Sequence, residues 1–203
     1  SVRYFAFLSI SLRYPKPLSR ELFMLKKSCF TTSKGVIMTS VFLATFFTSS
    51  AFSALLPQQA KLDFVFELPK IETTMYARPY VAIWIEDSQR KPVKTIQLWV
   101  GKDEWLKDLR SWWRKVGRYD RELVDAVTSA TRSAGQYRFS WDGTDDNNQR
   151  LEQGEYTLYI EAVREHGGRN QLRQKMTLTN QEAHYQLKPT EEIGNVTLHY
   201  QVK

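Results

Sequence analysis

Short stretches in which apolar and polar residues alternate constrain the fold of this chain more than any other feature of its sequence. Leu62, Phe64, Phe66 and Leu68 alternate with polar residues, which is typical of a strand with one buried face. The predicted strands cover residues 62–68, 80–85, 93–100, 137–141, 156–162, 172–178 and 196–202. Clusters of turn-forming residues separate them. The pattern therefore predicts an all-β fold of about seven or eight strands, an immunoglobulin-like antiparallel β-sandwich.

One segment departs from this alternation and predicts a small helical insertion. Between residues 103 and 130 the apolar side chains recur every three or four positions, as on one face of a helix. They are Trp105, Leu106, Leu109, Trp112, Trp113 and Val116. Asp103 is expected to cap this helix, and a second short helix is expected to begin at Asp120. The insertion lies between the third and fourth predicted strands.

The first 53 residues are predicted to precede the folded domain. Residues 1–23 come before the first methionine and are interpreted as an upstream extension. Residues 24–53 combine a basic start, an apolar run at 36–47 and small residues after it, which is typical of a secretory signal peptide. The apolar run is shorter than the ~20 residues of a transmembrane helix, so cleavage after Ser53 or Ala54 is expected rather than a membrane anchor. A single periplasmic domain, residues 54–203, would remain and would not span the membrane.

Removing this leader changes what the charge of the chain implies. The first 53 residues hold seven basic residues and one acid, so the net charge falls from +7 for the chain to about +1 for the remainder. A strongly basic protein would suggest a nucleic-acid partner, but the excess of basic residues lies in the leader, so this partner is not supported. Cys29 is the only cysteine and also lies there, so neither a disulfide nor a cysteine metal site is expected in the secreted protein.

The run Asp125-Ala126-Val127-Thr128-Ser129-Ala130-Thr131, called the acceptor run below, matches the pattern D-x-x-[ST]-x-A-[ST]. It resembles the site at which bacterial flavin transferases attach FMN, through its phosphate, to a Thr or Ser hydroxyl. The resemblance implies that Thr131 is the acceptor, that Asp125 and Thr128 are read by the transferase, and that Ala130 gives the enzyme room. Ser129 stands where the related runs usually have Gly. The alternative is a helix end followed by a loop of small residues.

Several stretches together resemble the predicted periplasmic proteins of domain-of-unknown-function family 2271. They are residues 81–87, the Trp112-Trp113 pair, the acceptor run, residues 141–146 and residues 164–169. The resemblance implies that this protein is a periplasmic partner of membrane-bound flavoreductases and takes part in electron transfer.

An acidic turn at residues 142–148 allows two interpretations. Trp141-Asp142-Gly143 and the residues after it also resemble the immunoglobulin-like domain of flagellar hook-capping proteins, in which this is a turn motif. Asp142, Asp145, Asp146 and Asn148 also offer the oxygen ligands of a Ca²⁺ site. The turn interpretation is favoured because no bidentate Glu follows at the required distance.

Two further kinds of side chain are candidates for contact with a flavin. Trp112 and Trp113 are close to the acceptor run in sequence and could stack on its rings, although a Trp at helical spacing is more often part of a core. His166, in a Gly-rich turn, could hydrogen-bond the flavin or its phosphate, the alternative being an ordinary surface His. His184 and His199 fall at strand positions and are assigned no role.

Taken together, the sequence predicts a periplasmic electron carrier with FMN esterified to Thr131. Its partners would be a flavin transferase and a membrane-bound flavoreductase, and the cofactor would supply the redox chemistry. The alternative from another class is a cofactor-free immunoglobulin-like module that binds or scaffolds a periplasmic membrane complex. A metal-handling protein is a third possibility. The sequence contains no Ser-His-Asp, HExxH, P-loop or GxGxxG pattern, so a stand-alone enzyme is not supported.

Overall fold

A computed structural model describes residues 53–203 and contains the strands that the alternation predicts. The predicted extension 1–23, residues 24–52 of the predicted signal peptide and Cys29 lie outside the described residues. The strands are β1 (Lys61–Leu68), β2 (Tyr80–Asp87), β3 (Pro92–Trp99), β4 (Thr128–Ser129), β5 (Gly135–Trp141), β6 (Gly154–Val163), β7 (Arg169–Leu178), β8 (Ala183–Leu187) and β9 (Val196–Gln201).

The strands form two sheets, which confirms the predicted sandwich. One sheet has four strands in the order β5-β1-β9-β8, and the other has five in the order β4-β3-β2-β6-β7. Strands β2 and β3, which are consecutive in the chain, form an antiparallel hairpin. The sheets are antiparallel except that the two-residue strand β4 runs parallel to β3. β4 and β8 are short, at 2 and 5 residues, so neither shows enough alternation to be delimited from sequence alone.

An inner core lies between the two sheets and explains the alternation of the strands. Every second residue of β1 is buried, from Leu62 to Leu68. Val81, Ile83 and Ile85 of β2 face the same core from the other sheet. Burial of these side chains is the main favourable term that holds the sheets together.

An outer core lies on the opposite face of the five-stranded sheet. The predicted insertion packs here as a 3₁₀ helix (Asp103–Asp108), the short helix α1 (Arg110–Trp112), a π-helical turn (Trp113–Gly117) and the helix α2 (Arg121–Val127). These elements, residues 103–127, are called the helical layer below. Buried residues of the outer core are Tyr80, Ala82, Trp84, Leu98, Val100, Leu106, Leu109, Trp112, Val116 and Val124. Because both faces of β2 are covered, its residues are apolar on both sides.

Two buried carboxylates fasten the helical layer to the sheet. Glu161 of β6 accepts hydrogen bonds from the backbone N–H groups of Ser111 and Trp112, with oxygen–nitrogen distances of 3.0–3.1 Å. Its carboxylate also pairs with the guanidinium of Arg169. Glu86 of β2 accepts from the Lys115 ammonium at 2.7 Å. A buried carboxylate is stable only with such partners, so these contacts fix the position of the layer.

Candidate functional site

The acceptor run begins on α2, whose start is fixed by a side-chain cap. The Asp120 carboxylate accepts a hydrogen bond from the backbone N–H of Leu123 at 2.8 Å, as expected for the residue predicted to begin this helix. At the first helix the expectation was wrong, because Asp103 is the first residue of the 3₁₀ helix and Lys102 precedes it as the cap position. The buried side chain of Val124 joins α2 to the outer core.

The middle of the acceptor run is held at the edge of the five-stranded sheet. Thr128 and Ser129 form β4 and pair with Leu98 and Trp99 of β3. The Thr128 hydroxyl donates a hydrogen bond to the Val124 carbonyl at 2.6 Å. These contacts fix the backbone of the acceptor run immediately before Thr131.

Ser129 occupies the place where similar runs have Gly, and its conformation does not require Gly. Among residues 53–203, the non-glycine residues with positive φ are Arg90, Asn148 and His166, so Ser129 is outside the left-handed region. Its hydroxyl accepts a hydrogen bond from the Gln97 amide at 2.8 Å. The serine therefore adds a contact to β3 and imposes no backbone strain.

The acceptor residue follows in an irregular segment, residues 130–134. Ala130 is exposed and Thr131 is half-buried, and β5 begins at Gly135. The Tyr137 hydroxyl donates to the Ser133 carbonyl at 2.6 Å, which holds the far end of this segment. Thr131 therefore lies in a surface segment that is short and anchored on both sides.

Asp125 is displayed on the solvent side of α2. Its side chain is 62% exposed and pairs with the guanidinium of Arg121, one helical turn earlier, at 2.9 Å. Arg121 also pairs with Asp103 at the start of the helical layer. The carboxylate thus has an accessible face beside a local ion pair.

The two tryptophans predicted to face a flavin have different surroundings. Trp112 is fully buried in the outer core, where its indole N–H donates to the Thr95 hydroxyl at 3.3 Å. Trp113 is only partly buried and packs against the edge of the same core. Trp113 is therefore the member of the pair with ring surface available to a ligand.

His166 lies in the turn between β6 and β7. Its φ is +56°, a left-handed conformation that is unusual for a residue with a side chain. The turn is organised by a buried pair, in which Arg164 donates to Glu192 at 2.9 and 3.0 Å. Glu192 also accepts from the Gly168 N–H at 2.7 Å. The imidazole of His166 itself is exposed.

The topology brings two of these candidates, Thr131 and His166, to one end of the sandwich. β2 begins at Tyr80, opposite Val163 at the end of β6, and β3 ends at Trp99 beside Ser129. Neighbouring strands are about 4.8 Å apart, so β4 and β6, three places apart in the sheet, are separated by about 14 Å. Thr131 and His166 therefore share an end of the molecule without being neighbours.

The acidic turn after β5 uses its carboxylates to hold the backbone. Asp142 accepts from the N–H and the hydroxyl of Thr144 at 3.1 and 2.7 Å. Asp145 accepts from the N–H groups of Asn147 and Gln149, both at 2.8 Å. Asp146 accepts from the N–H of Thr95.

The surroundings of Asp142 and Asp146 shift the pKa values of these two carboxyls in opposite directions. Burial raises the pKa of Asp146, and this outweighs its hydrogen bond from the Thr95 N–H. At Asp142 burial also raises the pKa, but the hydrogen bonds from Thr144 together outweigh burial and lower the pKa.

Gly143 has a φ of +81°, as a tight turn requires. The observed contacts are those of a turn motif.

Sequence reasoning missed the buried charged groups of the outer face. Glu86 and Glu161 are fully buried, and each stands in a strand that is otherwise largely apolar. Tyr159 stacks on Trp84 with ring centroids 4.9 Å apart, and its pKa is raised by burial and by the Glu86 carboxylate. An acid inside an apolar strand is the signal that could have found this cluster, because a buried carboxylate needs partners.

The two sheets and the helical layer define an all-β sandwich protein with a small helical insertion. The chain belongs to the DUF2271 family, described as predicted periplasmic protein, and residues 61–195 match the family model. The family places the protein in the periplasm. No helix within residues 53–203 combines the length and the apolar character needed to cross a membrane. Neither the curated proteins nor the solved structures contain a significant match.

Proposed function

We propose that this protein carries FMN covalently on Thr131 and transfers electrons between a membrane-bound flavoreductase and a periplasmic acceptor. The observation that carries the proposal is the position of the acceptor run between α2, β4 and a short surface segment. α2 presents the Asp125 carboxylate to solvent, β4 fixes Thr128 and Ser129 on β3, and Thr131 follows in a short surface segment. A transferase can therefore approach a hydroxyl whose flanking backbone is already ordered.

The attachment chemistry needs little from this chain beyond an accessible hydroxyl. The Thr131 oxygen would form a bond to the flavin-side phosphorus of a flavin dinucleotide, and the nucleoside monophosphate would leave. The hydroxyl proton would pass to a base on the transferase, so no base beside Thr131 is required. A phosphoester to Thr131 tethers the group while the protein positions it.

The described residues fit such a group at its attachment point. Thr131 offers the one functional group that the phosphoester needs, and the neighbouring Ala130 is exposed and small. When bound, FMN supplies one- and two-electron redox chemistry. Trp113 and His166 are the candidates to contact its rings, because Trp112 is fully buried and His166 lies at the same end of the sandwich. The Asp125 carboxylate is the negatively charged group that the transferase would recognise.

Covalent flavinylation is the direct test of this function. The chain is coexpressed with an active flavin transferase, denatured and inspected on a gel under ultraviolet light, and its intact mass is measured. The expected result is one fluorescent protein band, with a mass increase of one FMN phosphoester, that disappears in Thr131→Val. Ser133→Ala removes a hydroxyl from the same surface segment and should keep the label. An unlabelled wild-type chain beside a labelled control substrate would contradict the proposal and favour the cofactor-free binding module.

The role of Asp125 can be separated from the ion pair that it forms. Asp125→Asn and Arg121→Gln both break the contact of 2.9 Å, but only the first removes the carboxylate. Loss of a charge-assisted contact to the transferase lowers labelling efficiency by about tenfold or more. We therefore expect slow labelling of Asp125→Asn and nearly normal labelling of Arg121→Gln in initial-rate measurements. Equal slowing in both variants would assign Asp125 to helix stability instead.

A further inference from the structure

Four polar residues form a row across the outer face of the four-stranded sheet, the face that the helical layer does not cover. Asp63 of β1 is paired with Ser140 of β5 on one side and with His199 of β9 on the other. His199 in turn is paired with His184 of β8. Directly paired residues in antiparallel strands point to the same face, so the four side chains share one surface. A groove of about 630 Å³ lies over this row.

The two imidazoles of the row, called the His pair below, are stacked on each other. Their ring centroids are 3.9 Å apart and their planes differ by 21°. His199 is partly buried and His184 is exposed, so the His184 ring lies on the solvent side of the pair. The charged residues that line the groove together with the His pair are Asp63 of β1 and Arg138 of β5.

His199 contains a buried nitrogen that has no hydrogen-bond partner. Its Nδ1 lies 2.9 Å from the side-chain nitrogen of Gln201, which in this orientation donates to Nδ1 and leaves the ring proton on Nε2. Its Nε2 is buried and unpartnered, and is the only side-chain nitrogen or oxygen of this kind within the described part of the chain. Buried polar atoms are nearly always satisfied in native proteins, so an unpartnered one calls for an explanation.

The carboxylate beside the His pair is held in its charged form. The Lys61 ammonium lies 2.8 Å from Asp63. Burial raises the pKa of the Asp63 carboxyl, but hydrogen bonds from Lys61 and Ser140 outweigh it and leave the pKa below its usual value. Because Lys61 pairs with this carboxylate and Arg138 also lines the groove, the two imidazoles rather than the charge of the row select the ligand.

We propose that His184 and His199 bind a divalent transition-metal ion of the class that prefers imidazole, namely Zn²⁺, Cu²⁺ or Ni²⁺. Two imidazoles from adjacent strands supply the nitrogen ligands that these ions select. Asp63 contributes its charge, and water would occupy the remaining positions. For metal binding the Gln201 amide rotates by half a turn, so that its oxygen accepts the Nδ1 proton of His199 and Nε2 presents its lone pair. The amide oxygen then supplies the outer hydrogen bond that orients a ligating His. This site is independent of the flavin and of the acceptor run.

Binding requires a local movement, which the structure allows. Among residues 53–203, no three His, Cys, Asp or Glu side chains are already gathered as a ligand set. The His184 ring is exposed and can turn about its side-chain torsions, which would uncover Nε2 of His199 and bring a second nitrogen beside it. The metal would then replace a stacking contact and satisfy the unpartnered nitrogen.

Metal titration of the secreted protein, prepared without a polyhistidine tag and treated with a chelator, tests the site. Zn²⁺, Cu²⁺ and Ni²⁺ are titrated separately by calorimetry at one fixed, neutral pH. We expect one ion per chain, with affinity lowered at least about tenfold in His184→Gln and in His199→Gln. Because metal bound only to the folded state stabilises it, the melting temperature should also rise with the ion and not in these variants.

The chain offers a matched control, since it has three histidines and the third, His166, lies in the turn between β6 and β7. His166→Gln should bind metal as the wild type does. Asp63→Asn should weaken binding less than either His substitution. Equal binding by the wild type and the His184→Gln/His199→Gln double variant, or loss of binding in His166→Gln alone, would overturn the proposal. Circular dichroism of each variant before titration distinguishes loss of a ligand from loss of the fold.

Discussion

At the scale of single residues, buried or hydrogen-bonded carboxylates form contacts that hold distant segments of this protein together. Glu161 satisfies two backbone N–H groups of the helical layer, and Glu192 neutralises the buried Arg164. Glu67 accepts from both the backbone N–H and the side-chain amide of Asn195. Each of these acids acts on a segment far away in sequence, so its role follows from the fold rather than from its neighbours in the chain.

Glu67 gives a pH-dependent prediction at this scale. The hydrogen bond from the Asn195 backbone N–H, with that from its side chain, lowers the pKa of Glu67 from its usual value of 4.5. A lowered folded-state pKa adds stability above the unfolded-state value, and that stability is lost as the pH falls through the folded-state value. Glu67→Gln should therefore be less stable than the wild type at neutral pH, and the difference should shrink towards about pH 2.

Urea unfolding of both proteins at the two pH values measures this difference. Glu182→Gln serves as a control, because Glu182 is exposed and the substitution makes the same change in charge. A stability gap between wild type and Glu67→Gln that stays constant with pH would show that the Asn195 contacts do not favour the ionised form.

At the scale of elements, the helical layer consists of short pieces that depend on caps and packing. α2 has 7 residues, too few to be stable alone, and its only side-chain cap is Asp120. The preceding chain passes through a π-helical turn that ends at Gly117. A side chain at Gly117 would come within 2.6 Å of the Trp112 ring, so the layer tolerates only glycine at this point.

Removal of the α2 cap should weaken the element that presents the acceptor run. Asp120→Ala leaves the Leu123 N–H without its partner and should cost about 1 kcal/mol of the free energy of unfolding. Asp120→Ser keeps a capping hydroxyl and should cost less. Chemical denaturation measures both, and hydrogen exchange at residues 121–127 shows whether the loss is local. Equal costs for Ala and Ser would argue against a capping role.

At the scale of the whole molecule, the five-stranded sheet carries a core on each face. The inner core joins the two sheets, and the outer core joins the helical layer to the sheet. Within residues 53–203 no such layer covers the outer face of the four-stranded sheet, and the groove with the His pair lies there. The two proposed sites therefore belong to different surfaces, the acceptor run at one end of the sandwich and the His pair on an uncovered face.

The outer core predicts a large difference between two adjacent tryptophans. Trp112→Ala removes a fully buried ring and should cost about 3–5 kcal/mol of the free energy of unfolding. Trp113→Ala removes a partly exposed ring and should cost about 1.5 kcal/mol or less. Urea unfolding followed by circular dichroism measures both values. Similar costs for the two variants would mean that the helical layer does not pack as described.

Much of the fold could be predicted because it depends on local periodicity. Alternation in residues 62–68 and 156–162 predicts strands with one buried face, and helical spacing from Trp105 to Val116 predicts the insertion. The acceptor run and its position across the end of a short helix could also be predicted, since a motif is a property of consecutive residues. The sequence by itself thus determined the strands, the insertion and the candidate attachment residue.

Only the tertiary structure decided which of these residues meet. Nothing local distinguishes Trp112 from Trp113, yet packing of the helical layer on the five-stranded sheet buries the first and leaves the second partly exposed. His184 and His199 become a stacked pair through the register of β8 and β9, and Asp63 joins them through the register of β1. Register and layer packing are set by contacts between distant segments, and a shift by one residue would turn these side chains to the other face.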